Sequence, residues 1–449
     1  MTSCYGFPMR FEPHAASNSG REFVVVFLEH VIRRSNLDFY ITTGLATNVS
    51  VEISAPGLPS KQAPIRLTLT HGITSHAAVN TNLALKGVWG QDLGTQKAKK
   101  GIFISSDGDI SVQCYTTSTH SAYPNSVGGY LALPTDALGK EYMITTYCEA
   151  NSCAFAVVGT EDDTQVQLVL KLPPSKRVRY SGTNYYSGDT ISETIDRFEA
   201  IELMSSGSFS GTVVTSSRNV AVFIGTDFSS VGEGSSMDAM TEQLAPLDTW
   251  GMDYFLVPFP GRSTFDLLTV TAQFNNTLVE LNGTRHTIME EGTSINLKLP
   301  SDAPAYLWSN KRVLVLQLST SHGSDTDFTD PSMLAVPPIK QWSSGYTFAS
   351  SSTTSNAEDV ALALIANTSC VSEVSLSHGL QLVHLNWTVV AGVGYSISYT
   401  TLQDGFYEVR TLAPGTCPSF GGYLYGPGYN FAWSMPIGQS FKILPDIYP

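Results

Sequence analysis

The sequence predicts an all-β protein built from four related antiparallel units, each sandwich-like. Short runs rich in β-branched and aromatic residues alternate with Asn, Asp and Gly turns. No amphipathic pattern exceeds about three helical turns, and three sequence landmarks recur in the same order. Six or seven strands in about a hundred residues are typical of a sandwich. A closed β-propeller with two four-stranded blades per unit fits the same periodicity.

The first landmark is a proline, a large apolar residue four positions later and a tyrosine four after that. It occurs at residues 134–142, 246–254 and 338–346, and Gly20-Arg-Glu-Phe matches its end near the N-terminus. We expect its aromatic residues to pack in the core at the unit boundaries. The landmark predicts units at residues 1–134, 135–246 and 247–338, followed by a divergent unit at residues 339–449.

The other two landmarks are a turn and a strand. Glu161-Asp-Asp-Thr parallels Phe274-Asn-Asn-Thr, and these Asn and Asp residues favour a tight turn because they tolerate positive φ. Residues 214–223 parallel residues 307–316, and residues 104–112 follow them with one extra residue. Three landmarks that repeat in register indicate a true internal repeat.

The charge balance argues against several classes of partner. The chain of 449 residues is 42% hydrophobic and 14% charged, with a formal net charge of −14. Such a chain is able to form a core, and its negative charge repels phosphate backbones, so we expect no nucleic-acid partner. Because no eighteen apolar residues run together, we also expect no membrane span.

The cysteines predict a disulfide framework. Cys148 and Cys153 flank a polar turn between two strand-like runs, a spacing that suits a bridge across a hairpin. No C-x-x-C pair occurs, which argues against zinc and thioredoxin-type sites. Pairing within units would add two longer-range bridges, Cys370–Cys417 and Cys4–Cys114.

Asn-x-Ser/Thr sequons and paired cysteines together favour an oxidising compartment. The opening Met-Thr-Ser-Cys-Tyr-Gly-Phe lacks the regions of a signal peptide. We therefore expect a secreted, extracellular protein whose signal peptide is absent from this chain. The predicted glycosylation sites are Asn48, Asn275, Asn282, Asn367 and Asn386.

The sequence offers no sign of catalysis. Its nine histidines include no His-Glu-x-x-His motif, and no Gly-x-Ser-x-Gly precedes a helix. We predict no catalytic residue, no cofactor and no metal site. The acidic loops at 107–109, 161–163 and 325–330 could hold calcium, but we favour solvated turn carboxylates.

The C-terminal stretch holds the candidate ligand-binding residues Tyr425, Tyr429 and Trp433. Exposed aromatic rings there could stack on sugar faces or anchor a protein partner. The alternative, which we favour, is an aromatic seam that seals the last unit against its neighbour, because Tyr423-Leu-Tyr-Gly alternates like a strand with one buried face.

The landmark residues resemble the N-terminal domain of IgGFc-binding proteins, a family of secreted, mucus-associated animal proteins. The resemblance covers nearly the whole chain, is closest at residues 139–142, 160–164, 214–223 and 242–246, and continues at residues 250–262 and 330–338. It implies an extracellular, non-enzymatic binding or adhesion module, with no cofactor. In mammalian members this region is named for binding the Fc part of immunoglobulin G.

The resemblance therefore implies an extracellular protein or glycoprotein as partner, with mucin or immunoglobulin Fc as candidates. The alternative from another class is an extracellular hydrolase with its site at the mouth of a propeller-like ring. A deep pocket with converging His and carboxylate groups would favour the hydrolase, and a shallow, loop-lined surface would favour the binding module.

Overall fold

The computed structural model describes residues 17–28, 35–57, 63–85, 95–118, 126–149, 152–322, 329–351 and 360–444. In these ranges strands and turns form almost the whole chain, and no α-helix occurs. The prediction of an all-β fold of antiparallel sheets is confirmed. Short 3₁₀ helices lie at Thr81–Leu83, Thr135–Ala137, Leu247–Thr249, Ile339–Gln341 and Thr368–Glu373.

The predicted ranges, here called units 1 to 4, supply the strands in chain order. Unit 1 contains β1 Gly20–Val25, β2 Ser35–Thr42, β3 Val49–Ser54, β4 Ile65–Leu69, β5 Ser75–Val79, β6 Gln96–Ala98, β7 Ile102–Ser118 and β8 Val127–Leu131. Unit 2 contains β9 Gly139–Met143, β10 Cys153–Gly159, β11 Thr164–Val169, β12 Val178–Tyr180, β13 Thr183–Tyr185, β14 Thr190–Ile195, β15 Ala200–Ser205, β16 Val213–Ser229 and β17 Asp238–Gln243.

The second half of the chain continues the series. Unit 3 contains β18 Gly251–Leu256, β19 Phe265–Ala272, β20 Thr277–Leu281, β21 Thr284–Ile288, β22 Ser294–Pro300, β23 Ala305–Ser319 and β24 Met333–Ala335. Unit 4 contains β25 Gly345–Ser350, β26 Val360–Asn367, β27 Val374–His378, β28 Gln381–Val383, β29 Thr388–Val389, β30 Tyr395–Leu402, β31 Gly405–Thr411, β32 Gly421–Gly428 and β33 Phe431–Pro436.

One strand order recurs along the chain. It reads β4-β3-β7-β2-β5 in unit 1, β14-β11-β16-β10-β15 in unit 2 and β21-β20-β23-β19-β22 in unit 3. In unit 4 the order is the same, but the central strand is split into β31, which pairs β27, and β32, which pairs β26. The split explains why the sequence of unit 4 diverges from the other units, because residues 412–420 interrupt what would be its longest strand.

The long central strands make each unit sandwich-like. The N-terminal half of β7 pairs with β1 and β3, and its C-terminal half pairs with β2 and β8. In the same way, the N-terminal halves of β16 and β23 pair with β11 and β20, and their C-terminal halves pair with β10 and β19. One strand thereby runs through both layers, and the apolar side chains buried between the layers form the core of the unit.

The landmark tyrosines join the start of a unit to its long strand by hydrogen bonds. The Tyr142 hydroxyl accepts from Gly139 N (2.9 Å) and donates to the Val220 carbonyl (2.8 Å). Tyr254 repeats this with Gly251 N and the Val313 carbonyl, and Tyr346 with Ser343 N and the Phe420 carbonyl. The spacing of the landmark thus allows the one buried tyrosine hydroxyl to accept from a backbone N–H and to donate to a backbone carbonyl.

The strand landmark corresponds to an irregularity in the long strands. The pairing of β16 with β9 shifts between Thr215 and Val220. Within the shift the Ser216 hydroxyl donates to the Arg218 carbonyl (2.7 Å), and Ser106 and Ser309 donate to Gly108 and Lys311 at the same distance. A β-bulge leaves a residue without a partner in the strand pairing. The serine hydroxyl donates a hydrogen bond to one of the carbonyls that the bulge leaves unpaired.

The units close into a ring. Their last strands meet at the centre, where β8 contacts β17, β17 contacts β24, β24 contacts β33 and β33 contacts β8. Near the chain ends, Asn18 N donates to the Gln439 carbonyl (3.0 Å), so units 1 and 4 are also joined there. Strand β6 pairs with β15, which places a segment of the first range in the sheet of unit 2.

Candidate binding surfaces

The C-terminal aromatic residues form a seam between units. Tyr425 is fully buried and stacks on Phe259 of unit 3, with ring centroids 4.7 Å apart. Trp433 is also buried and meets Tyr115 of unit 1 edge-on at 5.1 Å. The prediction that Tyr425 and Trp433 bind a ligand is therefore wrong, because both side chains are buried and a ligand cannot reach either ring. Tyr429 is 56% exposed, and its role in binding stays a prediction.

The cysteines divide into one local bridge and several thiols. Cys148 and Cys153 form the predicted disulfide across the hairpin between β9 and β10. Cys370 and Cys417 are neighbouring buried thiols, and the predicted bridge between them is not formed. Instead the Cys417 thiol faces the Cys370 carbonyl at 3.8 Å. Cys114 is also a buried free thiol, so the predicted Cys4–Cys114 bridge is not formed either; Cys4 itself lies outside the described residues.

All five sequon asparagines are exposed, and four already use their side chains in turns. The Oδ1 atoms of Asn275 and Asn282 accept from Glu291 N and Tyr306 N, while Asn48 and Asn367 bond nearby hydroxyls. Their glycosylation stays a prediction. It would place glycans on the outer surface of units 1, 3 and 4.

Of the predicted acidic loops, residues 107–109 lie within strand β7 and residues 161–163 form a turn. Asp107 Oδ1 accepts from Ser50 N (2.8 Å), and Asp162 Oδ1 accepts from Arg197 N (3.0 Å). Glu161 pairs with Arg218, and Asp163 adopts φ 53°. Among the described residues no group of three or more His, Cys, Asp or Glu side chains could hold a metal ion. Asp325 lies outside the described residues.

A hydroxyl-lined groove lies between units 2 and 3. Its cavity of about 450 Å³ is lined by Thr146, Ser208 and Ser210 on one side and by Thr293, Ser294 and Asn296 on the other. We call it the hydroxyl groove. Lys171, Glu149 and the Cys148 end of the disulfide lie along it. No sequence pattern predicts this groove, because its Ser and Thr residues come from separate segments of a chain that is rich in both.

A second surface feature is apolar. Ile73 in the β4–β5 turn and Leu380 and Leu382 beside the β27–β28 turn are 57%, 87% and 80% exposed. The two turns are adjacent, since a Cβ atom on Gly72 would lie 3.9 Å from Leu380 Cδ2. Sequence reasoning missed this pair of turns because the residues are about three hundred positions apart.

The centre of the ring contains buried carboxyl groups. One oxygen of Asp238 accepts from Ser126 Oγ of unit 1 and Ala239 N, and the other accepts from Ala432 N of unit 4 (3.2 Å). Burial raises the pKa of Asp238 well above its usual range. Burial also raises the pKa of Asp266 to about 7 and, with repulsion from Asp238, that of Asp330 to about 8.

The cluster around Asp330 is not arranged as a hydrolytic triad. His322 Nε2 lies 3.8 Å from Asp330 Oδ1. Ser236, however, bonds the Asp330 carboxyl directly and accepts from the His322 backbone nitrogen (3.0 Å). A triad places the histidine between the nucleophile and the carboxylate. The arrangement fits a structural network rather than the hydrolase alternative.

The comparison with protein families agrees with this geometry. The model of the family described as IgGFc binding protein matches residues 128–426. The chain belongs to the IgGFc-binding protein family. The matched residues run from β8 of unit 1 to β32 of unit 4, so they include the hydroxyl groove and most of the ring centre.

A curated member of the IgGFc-binding protein family is similar in sequence. The human IgGFc-binding protein is 27% identical over 344 residues, which are 76% of this chain and 6% of the relative. The chain thus spans a small part of the length of that IgGFc-binding protein. The predicted resemblance is confirmed, and the family is one of binding proteins.

The finding on membranes is limited to helices. Within the described ranges, no helix has the length and hydrophobicity needed to cross a bilayer.

Proposed function

We propose that this chain is an extracellular, non-enzymatic binding module that recognises a protein or glycoprotein partner, with mucin or immunoglobulin Fc as the candidates. The family match over residues 128–426 carries the proposal, because it covers units 2 and 3 and most of unit 4. The printed name of the human relative supports an Fc-type partner.

The surface chemistry supports the same proposal. The described ring presents an open groove that carries hydroxyl side chains, and adjacent apolar turns, and binding residues are commonly carried by loops on such scaffolds. The local disulfide and the exposed sequons suit a secreted protein. We place its action in mucus or innate defence at an extracellular surface.

The proposal is tested by measuring binding of the chain, expressed through a secretory pathway, to immobilised mucin, deglycosylated mucin and purified immunoglobulin G Fc. Each surface is measured with and without calcium. Saturable binding to mucin or Fc supports the proposal, and loss of mucin binding on deglycosylation identifies a glycan partner. No binding to any of the three surfaces refutes it.

A further inference from the structure

The hydroxyl groove is held rigid before any ligand arrives. At the contact between units 2 and 3, a Cβ atom on Gly211 would lie 2.4 Å from the Gly292 carbonyl oxygen, and both glycines have positive φ. Across the same contact, Lys171 Nζ donates to the Glu291 carbonyl (2.8 Å) and to Thr293 Oγ1 (3.2 Å). The two walls are therefore fixed relative to each other, which lowers the entropic cost of binding.

The unit 2 wall is a chain of ordered hydroxyls. Thr146 Oγ1 lies 3.1 Å from Ser208 Oγ, and Ser208 Oγ donates to Ser210 Oγ at 2.9 Å. The ends of this chain are held by the backbone, since Phe209 N donates to Thr146 Oγ1 and Ser210 Oγ donates to the Thr146 carbonyl. Thr146 N and Ser210 N also donate to Ser210 Oγ and Ser208 Oγ, so the position that this chain leaves open to a ligand hydroxyl is one acceptor position on Thr146 Oγ1.

The unit 3 wall supplies an amide donor. Asn296 Oδ1 accepts from the buried Thr269 hydroxyl (3.0 Å), which orients the amide so that its NH₂ group remains to donate. Ser294 Oγ, bonded to Thr271 Oγ1 at 2.7 Å, lies next to it. This wall thus offers a fixed donor opposite the hydroxyl chain.

The charges on the groove indicate a neutral ligand. It has one cation, Lys171, and one anion, the exposed Glu149. An acidic sugar or sulfate would meet the Glu149 carboxylate, and a cationic peptide would meet Lys171, so neither charge sign is favoured. A ligand with many hydroxyls and no net charge matches the alternating donors and acceptors.

We propose that the hydroxyl groove binds a neutral oligosaccharide of two or three hexose or N-acetylhexosamine residues. The cavity of about 450 Å³ lies within the usual range of small-ligand sites. Asn296 and Lys171 donate to sugar oxygens, and Thr146 Oγ1 and Glu149 accept from sugar hydroxyls. The inference rests on the proposed function and names the surface and the ligand class within it.

The test measures binding of the full chain to an array of neutral and acidic oligosaccharides, and then titrates the best neutral ligand into variants by calorimetry. Asn296→Ala removes the amide donor and Asn296→Trp fills the groove. Asn184→Ala, on the exposed hairpin of β12 and β13 in unit 2, is the matched control. We expect at least tenfold weaker binding in both Asn296 variants and unchanged binding in the control, with all melting temperatures alike.

The outcomes separate the groove from the wider function. If the wild-type chain binds mucin or Fc but no neutral oligosaccharide, or if the Asn296 variants bind the oligosaccharide like wild type, the groove inference is wrong and the binding module stands. A preference for sialylated or sulfated glycans also overturns it. If the chain binds neither glycan, mucin nor Fc, the proposed function fails as well.

Discussion

Removing one landmark hydroxyl should destabilise the protein measurably. The Tyr254 side chain is fully buried, and its hydroxyl accepts from Gly251 N (3.3 Å) and donates to the Val313 carbonyl (2.5 Å). Tyr254→Phe keeps the ring and leaves both backbone groups without this partner. A buried polar group without its hydrogen bond costs about 1 to 3 kcal/mol. We expect the free energy of unfolding to fall by about that amount.

The assay is urea unfolding followed by tryptophan fluorescence, with Tyr186→Phe as the control, since Tyr186 is half exposed. Tyr142→Phe and Tyr346→Phe should give losses of similar size, because those hydroxyls serve the same two kinds of backbone group. A Tyr254→Phe variant as stable as Tyr186→Phe would show that the landmark hydroxyl does not stabilise the attachment of the start of a unit to its long strand.

Three further predictions concern the disulfide, the buried acids and the unit 2–unit 3 contact. Replacing Cys148 and Cys153 with serine should lower the free energy of unfolding by about 2 kcal/mol, because the closed loop is short; calorimetry measures it, and an unchanged melting curve contradicts it. The raised pKa of Asp266, about 7 against 3.8 unfolded, gives stability that is present below pH 3.8 and lost as pH rises to 7. The stability of Asp266→Asn relative to wild type should therefore rise by up to about 4 kcal/mol from pH 4 to 7 in urea titrations; parallel pH profiles would refute this. Gly292→Ala, whose Cβ would lie 2.6 Å from Gly211 Cα, should lower the melting temperature, whereas Gly283→Ala, where φ is also positive but the Cβ would meet open space, should lower it less.

The internal repeat can be predicted from the sequence because each landmark makes its contacts close to its own position in the unit. Each tyrosine reaches backbone groups set by its spacing from the proline, and each turn fixes its own residues, such as Thr164, whose hydroxyl donates to the Glu161 carbonyl at 2.8 Å. The Cys148–Cys153 bridge is local in the same sense. Periodicity of this kind predicts strands and units directly.

The long-range features could not be read in the same way. Cys370 and Cys417 share a unit, yet both are free thiols, Cys370 in the 3₁₀ helix Thr368–Glu373 and Cys417 in the segment between β31 and β32. The aromatic seam was predicted as the favoured alternative, but its partners Phe259 and Tyr115 were not, because they belong to other units. The hydroxyl groove depends on how units 2 and 3 dock, and single serines and threonines carry no pattern that records this docking.

The most direct test is a binding titration of the chain, expressed through a secretory pathway, against purified mucin, deglycosylated mucin and immunoglobulin G Fc immobilised on separate surfaces. We expect saturable binding to mucin or to Fc, and we expect binding to mucin to be reduced by Asn296→Trp and unchanged by Asn184→Ala. Failure of the folded wild-type chain to bind any of the three surfaces would contradict the assignment of this ring as a binding module.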